Sequence, residues 1–142
     1  MGRILGLQDV EAAVRGGSVF AAGGGGWADH GRMLGTSAVS IGHPELVSLD
    51  EVPDDAYIAT AAAIGAPAGT TEWQMLGVDY VKAVEMMQDA LGAPIYGLMI
   101  GQNGMSSTMA GLRSVTRKKN RNAVRLWLRV GTPTPLSTRC SR

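Results

Sequence analysis

A single cysteine among 142 residues, Cys140, rules out an internal disulfide framework. With only two histidines beside it, His30 and His43, the chain has too few ligands for a zinc site of the usual Cys/His kind, and no metal is expected. It has no run of about 18 apolar residues, so no membrane helix is expected. The N-terminus lacks a charged region followed by an apolar stretch and a small-residue cleavage site, and Gly6 stands where a myristoylation signal requires Ser or Thr. The expected location is the cytoplasm, with no membrane partner. Acidic residues are missing from positions 113–142, which carry nine basic residues and a formal charge of +9, whereas residues 1–112 hold 12 acids against four basic residues, a formal charge of −8. The overall charge of +1 therefore conceals a division, and it argues against nucleic acid as a general partner.

What the chain does have is enough length and apolar content, 45% of 142 residues, for one domain with a real core. Residues 7–16 place Leu7, Val10, Ala13 and Val14 at helical spacing, with Gln8, Asp9, Glu11 and Arg15 opposite. A second helix is predicted from about Asp29, carrying Met33, Leu34, Ala38 and Ile41 and stopped by Gly42 and Pro44. Residues 45–49 have strand character, and residues 52–55 read as a turn. Residues 57–64 (YIATAAAI) read as a strand buried on both faces, although the alanines leave a helix open. Residues 78–91 form the clearest helix, with Val78, Val81, Val84, Met87 and Leu91 on one stripe and Gly92 and Pro94 beyond it. Residues 95–100 (IYGLMI) form a second buried strand. Strand, helix, strand is a βαβ unit, so the expected fold is α/β, a small partly parallel sheet with flanking helices.

Four glycines, Gly23, Gly24, Gly25 and Gly26, lie between SVFAA (residues 18–22) and Trp27, Asp29 and His30. Glycine tolerates positive φ and lets other groups approach the backbone closely. The run therefore reads either as a nest of N–H groups for an anion or carbonyl, or as a tight interhelical turn with close backbone packing. Gly23, Gly25 and Ala28 match the form G-x-G-x-x-A, with Glu45 and Asp50 near the position of a ribose-binding acid, which keeps a nucleotide-binding fold as one alternative. The preceding helix leaves only SVFAA to serve as the strand that motif needs. No Lys-Ser or Lys-Thr follows, which excludes a P-loop.

Further candidates lie downstream. Glu72 follows Gly65, Ala66 and Pro67 at the end of a strand, where a carboxylate can enter a cleft and act as a base, or simply be a solvated loop acid. Gln102 and Asn103, between Gly101 and Gly104, can bind a substrate amide or stabilise an oxyanion, or can form an Asn-Gly turn. Ser106, Ser107 and Thr108 offer hydroxyls without an identifiable base, so helix capping is their expected use. Asp29, His30 and His43 are expected as a helix-start acid and surface histidines.

The ordered set Leu-Gln-Asp-Val (from Leu7), Gly-Gly-Ser-Val-Phe-Ala-Ala-Gly-Gly-Gly-Gly-Trp (from Gly16), Ser-Leu-Asp-Glu-Val-Pro-Asp-Asp-Ala (from Ser48), Ile-Gly-Ala-Pro (from Ile64) and Gly-Gln-Asn-Gly (from Gly101) resembles the S-methyl-thiohydantoin desulfurase N-terminal domain family, whose genes often adjoin those of hydantoinases or oxoprolinases. The resemblance covers residues 5–109. It implies a small-molecule cyclic amide as substrate, hydrolytic removal of sulfur as the reaction, and no specified cofactor. Carried over by position, the family's glycine run maps to Gly23, Gly24, Gly25 and Gly26, its small-residue turn to Gly65, Ala66 and Pro67, its nearby acid to Glu72 and its amide loop to Gln102, Asn103 and Gly104. No catalytic assignment transfers with them, and the expectation read from the residues is that Glu72 and Asn103 are catalytic and the others bind substrate. Family members are longer and continue into further α/β structure and a mainly β domain. The expectation is therefore an incomplete N-terminal part of a larger two-domain fold (residues 1–112), inactive by itself, followed by a basic, disordered or out-of-frame tail (residues 113–142). A homo-oligomer is left open. The alternative from another class is an acidic binding module with a basic arm for nucleic acid or an acidic partner.

Overall fold

The fold is taken from a computed structural model, which describes residues 2–22, 24–62, 76–115 and 125–127. The chain runs β1 (Arg3–Ile4), α1 (Leu7–Phe20), α2 (Ala28–Ile41), β2 (Glu45–Leu46), a 3-10 turn (Leu49–Glu51), β3 (Tyr57–Ala61), α3 (Gly77–Leu91), β4 (Ile95–Ile100), α4 (Ser107–Val115) and β5 (Arg125–Trp127). The strands form one sheet in the order β1-β2-β5-β4-β3. Among the described strands only β1 is antiparallel to its neighbour. The pairs β2 with β5, β5 with β4 and β4 with β3 are parallel, so β3-α3-β4 and β4-α4-β5 are successive βαβ units. The mixed α/β architecture with a partly parallel sheet is the one the sequence predicts.

Three helical segments begin with the same local device. An acid three positions into the segment accepts a hydrogen bond from the backbone N–H that precedes it: Gly6 to Asp9 Oδ2 (2.8 Å), Ser48 to Glu51 Oε2 (3.1 Å) and Leu76 to Asp79 Oδ2 (2.7 Å). Each satisfies a backbone donor and sets negative charge at the positive end of its segment. At the other end of α3, Gly92 takes the left-handed conformation (φ 65°) that lets the chain turn out of the helix.

The main core lies between α1, α2, α4 and the end of β4, and consists of Val10, Val14, Leu34, Ala38, Ile100, Met109 and Ala110. Gly35 makes the close helix contact possible, because a Cβ there would lie 2.5 Å from Val10 Cγ1 and 2.6 Å from Met109 Sδ. A smaller cluster joins Ile95 and Leu98 to Ala59, Ala61 and Val84. No helix of the described residues is long and apolar enough to cross a membrane.

Four expectations need correction. Helix α1 does not stop at Gly16 but continues through Ser18, Val19 and Phe20, so the segment before the glycine run is helix rather than strand. Strand β3 is not buried on both faces: among the described residues it pairs only with β4, at the sheet edge, and leaves Tyr57 and Ile58 exposed. Along α3 the apolar stripe is only partly used, since Val81 is buried whereas Val78, Met87 and Leu91 are exposed. The segment 113–142, from which no core element is expected, supplies the end of α4 and the strand Arg125–Trp127, which stands between β2 and β4.

Candidate functional site

The two loops singled out by the sequence meet. Residues 101–106 leave the carboxyl end of β4, the place where parallel sheets present their binding loops. Residues 24–26 join the end of α1 to the start of α2. Ala21 closes α1 by donating to the Gly17 carbonyl (3.0 Å), Gly24 N donates to Ala21 O (2.8 Å), and Ala22 (φ 47°), Gly25 (φ 75°) and Gly26 (φ 82°) then carry the chain through left-handed backbone. The Gly25 carbonyl accepts from the backbone N–H groups of Ser106 (2.8 Å) and Ser107 (3.1 Å). One glycine carbonyl thus caps α4, satisfying donors that a helix start otherwise leaves open.

Contact between the loops is backbone on backbone. A Cβ on Gly25 would lie 2.5 Å from Gly104 Cα, and one on Gly104 the same distance from Gly25 Cα. A Cβ on Gly17 would strike the Gly104 carbonyl carbon, and one on Gly31 the Met105 carbonyl oxygen. Gly24 lies beside the Gln102 side chain, whose Nε2 would be 3.6 Å from an added Cβ. Close packing therefore accounts for Gly25. Neither Gly25 nor Gly26 has its N–H bonded among the described residues, so the donors of a nest are still present.

The hydroxyls of the second loop are not used as the sequence predicts. Thr108 Oγ1 accepts from Gly104 N (3.1 Å), and Ser107 Oγ donates to the Gln102 carbonyl (2.9 Å), so both hold the amide loop in shape. Ser106 Oγ is 2.9 Å from His30 Nδ1 on the first turn of α2. This pair joins residues 76 positions apart, and periodicity gives no sign of it. A weak signal was the small-residue face of α2, Gly31, Gly35 and Ala38, which marks the side where another chain segment comes close. Asn103 Oδ1 is buried without a hydrogen-bond partner among the described residues, a cost of about 1–3 kcal/mol for an amide acceptor unless something else supplies a donor.

Of the candidates, Gly24, Gly25, Gly26, Gln102, Asn103 and Gly104 are brought together, whereas Gly23, Gly65, Ala66, Pro67 and Glu72 lie outside the described residues. His43 is exposed beyond the end of α2, and the Asp29 carboxylate pairs with Arg32 (3.2 Å), so neither joins His30. Among the described residues no three His, Cys, Asp or Glu side chains come together as a metal site. The strand that the dinucleotide fingerprint requires before its glycines is α1.

Successive βαβ units with a polar loop at the carboxyl end of β4 define an α/β domain that carries its described candidate chemistry on loops rather than in the sheet. The family model described as S-Me-THD-like, N-terminal domain matches residues 8–124, and the chain belongs to that family. A search of curated proteins and a search of solved structures each found no match.

Proposed function

We propose that this chain is the cyclic-amide-binding part of a hydantoin-directed hydrolase or desulfurase, and that the ring is held between residues 24–26 and the Gln102-Asn103 loop. The observation that carries this reading is the buried Asn103 Oδ1, which has no hydrogen-bond partner among the described residues, in a loop pinned against glycines whose N–H groups have none among them either. A ring N–H supplies the donor that Oδ1 lacks. The Gly25 and Gly26 N–H groups supply donors for a ring carbonyl, and the Gln102 amide offers one donor and one acceptor for the remaining edge. Gly65, Ala66 and Pro67 complete the binding wall in this proposal, with Glu72 as the base that activates water. For an S-methyl-thiohydantoin the net change is hydrolysis: the carbon bearing sulfur gains the oxygen of water, the carbon–sulfur bond is lost, and methanethiol is released with a proton. Alone, the chain binds the ring without turning it over, because the family domain is an N-terminal one and the remaining walls belong to further structure. The substrate is a small molecule, and the proposed setting is the cytoplasm.

Calorimetric titration with S-methyl-thiohydantoin and hydantoin tests this. Binding is expected to weaken about 10-fold or more in Asn103→Leu, which lacks the acceptor, the factor corresponding to loss of one buried hydrogen bond. Equal affinity in wild type and variant removes Asn103 from the site, and no binding of either ring at millimolar concentration ends the proposal.

A further inference from the structure

We propose that Ser106 is a nucleophile and His30 its general base, so that sulfur removal runs through a covalent enzyme intermediate. Ser106 immediately precedes α4, a place where a serine hydroxyl ordinarily caps the helix. Here the capping is done by carbonyls: Gly25 O accepts from Ser106 and Ser107, and Gly104 O accepts from Thr108 (3.4 Å). The Ser106 hydroxyl is thereby left for the imidazole, at 2.9 Å from Nδ1, a distance suited to proton transfer. Because α4 is nine residues long, its positive end lies beside Ser106 and favours the alkoxide that attack requires.

Ser106 is 7% exposed. Gly26 crosses it at φ 82°, where an added Cβ would lie 2.7 Å from Oγ. Only a glycine there leaves the hydroxyl free of a side chain from that residue. Asn103, three positions earlier on the same loop, holds the acceptor assigned above to the ring N–H. Among the described residues His30 has no second hydrogen-bond partner, so Nε2 is available to an orienting group.

The first step forms a bond from Ser106 Oγ to the ring carbon bearing sulfur as the hydroxyl proton passes to His30 Nδ1. The carbon–sulfur bond then breaks and methanethiolate takes that proton. In the second step water, deprotonated by His30, attacks the same carbon, and Ser106 leaves with a proton. The substrate class rests on the cyclic-amide reading; the dyad is testable without it.

A fluorophosphonate probe supplies the test, since attack forms an oxygen–phosphorus bond and expels fluoride while His30 takes the proton. The full chain is expected to gain one adduct, mapped by mass spectrometry to Ser106. Ser40→Ala, at an exposed serine near the end of α2, should label at the wild-type rate, and His30→Asn about 100-fold more slowly, the lower bound for losing a general base. If Ser106→Ala fails to fold, Ser106→Cys keeps the shape, and iodoacetamide alkylation of position 106, scored by peptide apart from Cys140, is expected to slow when His30→Asn is added. A folded chain without the adduct, an adduct elsewhere, or a rate indifferent to His30 overturns the dyad. Ring binding without labelling refutes the dyad alone, and labelling without ring binding refutes the cyclic-amide reading alone.

Discussion

An added methyl group at Gly26 and one at Gly16 meet opposite surroundings. At Gly26 the backbone is left-handed and the new carbon would sit 2.5 Å from Ser106 Cβ, whereas at Gly16, inside α1, nothing lies within 4 Å. Gly26→Ala is expected to lower stability by about 1–3 kcal/mol through strain and displacement of Ser106. Gly16→Ala is expected to raise it by roughly 0.5–1 kcal/mol, as replacement of an interior helical glycine does. Chemical denaturation of the two variants checks both signs, and a loss at Gly16 would contradict the packing. The contrast also shows what was legible at this scale. The glycine run and the Gln102-Asn103 loop stand out in the sequence as unusual backbone, and they do meet. Which glycine is needed, and for which neighbour, depends on residues as distant as Gly104 and Ser106. The Ser106 to His30 bond was illegible for the same reason: each residue has an ordinary local use, as a cap or a surface histidine, and only the tertiary approach of α2 to the amide loop gives it another.

Elements bounded by their own punctuation were read correctly. Gly92 and Pro94 end α3, Gly42 ends α2, and the unbroken apolar run of β4 is a strand over the residues expected. The exposure of β3 was not readable, because an apolar strand looks the same at a sheet edge and at its centre until the strand order is known. Between α1 and α2 a surface ion pair also has a measurable signature. Glu11 accepts from Arg32 Nε (2.9 Å) and Arg15 Nε (2.7 Å), and these guanidinium bonds, Arg32 first, pull its carboxyl from an ordinary 4.5 down to about 2. A depressed folded-state value means that the pair contributes fully above the unfolded-state value and is lost as pH falls from about 4.5 to about 2. The melting temperature is expected to drop through that window, with a smaller drop in Glu11→Gln. Because the pair is solvent-exposed, added salt should shrink the difference between the two proteins, and a gap indifferent to salt would count against the assignment.

At the scale of the whole molecule, the sheet depends on a strand from the basic segment. Leu126 stands opposite Leu46 of β2 on one side and Leu98 of β4 on the other. Proline at an internal ladder position removes a backbone donor and is tolerated almost only at edges. Leu126→Pro is expected to abolish the cooperative thermal transition followed by circular dichroism. An unchanged melt would mean that residues 113–142 take no part in the fold, as the charge division by itself led one to expect. That division hid β5, since nine basic residues without an acid read as a solvated arm rather than as a sheet strand. The position of β5 also sets an order of events during synthesis. The pairs β1-β2 and β3-β4 emerge from the ribosome before the strand that joins them, so the nascent chain carries open sheet edges on both sides of a gap. Closure through a contact as distant in sequence as Leu46 to Leu126 is slow by its topology, and the waiting edges are surfaces on which one unfinished chain can pair with another.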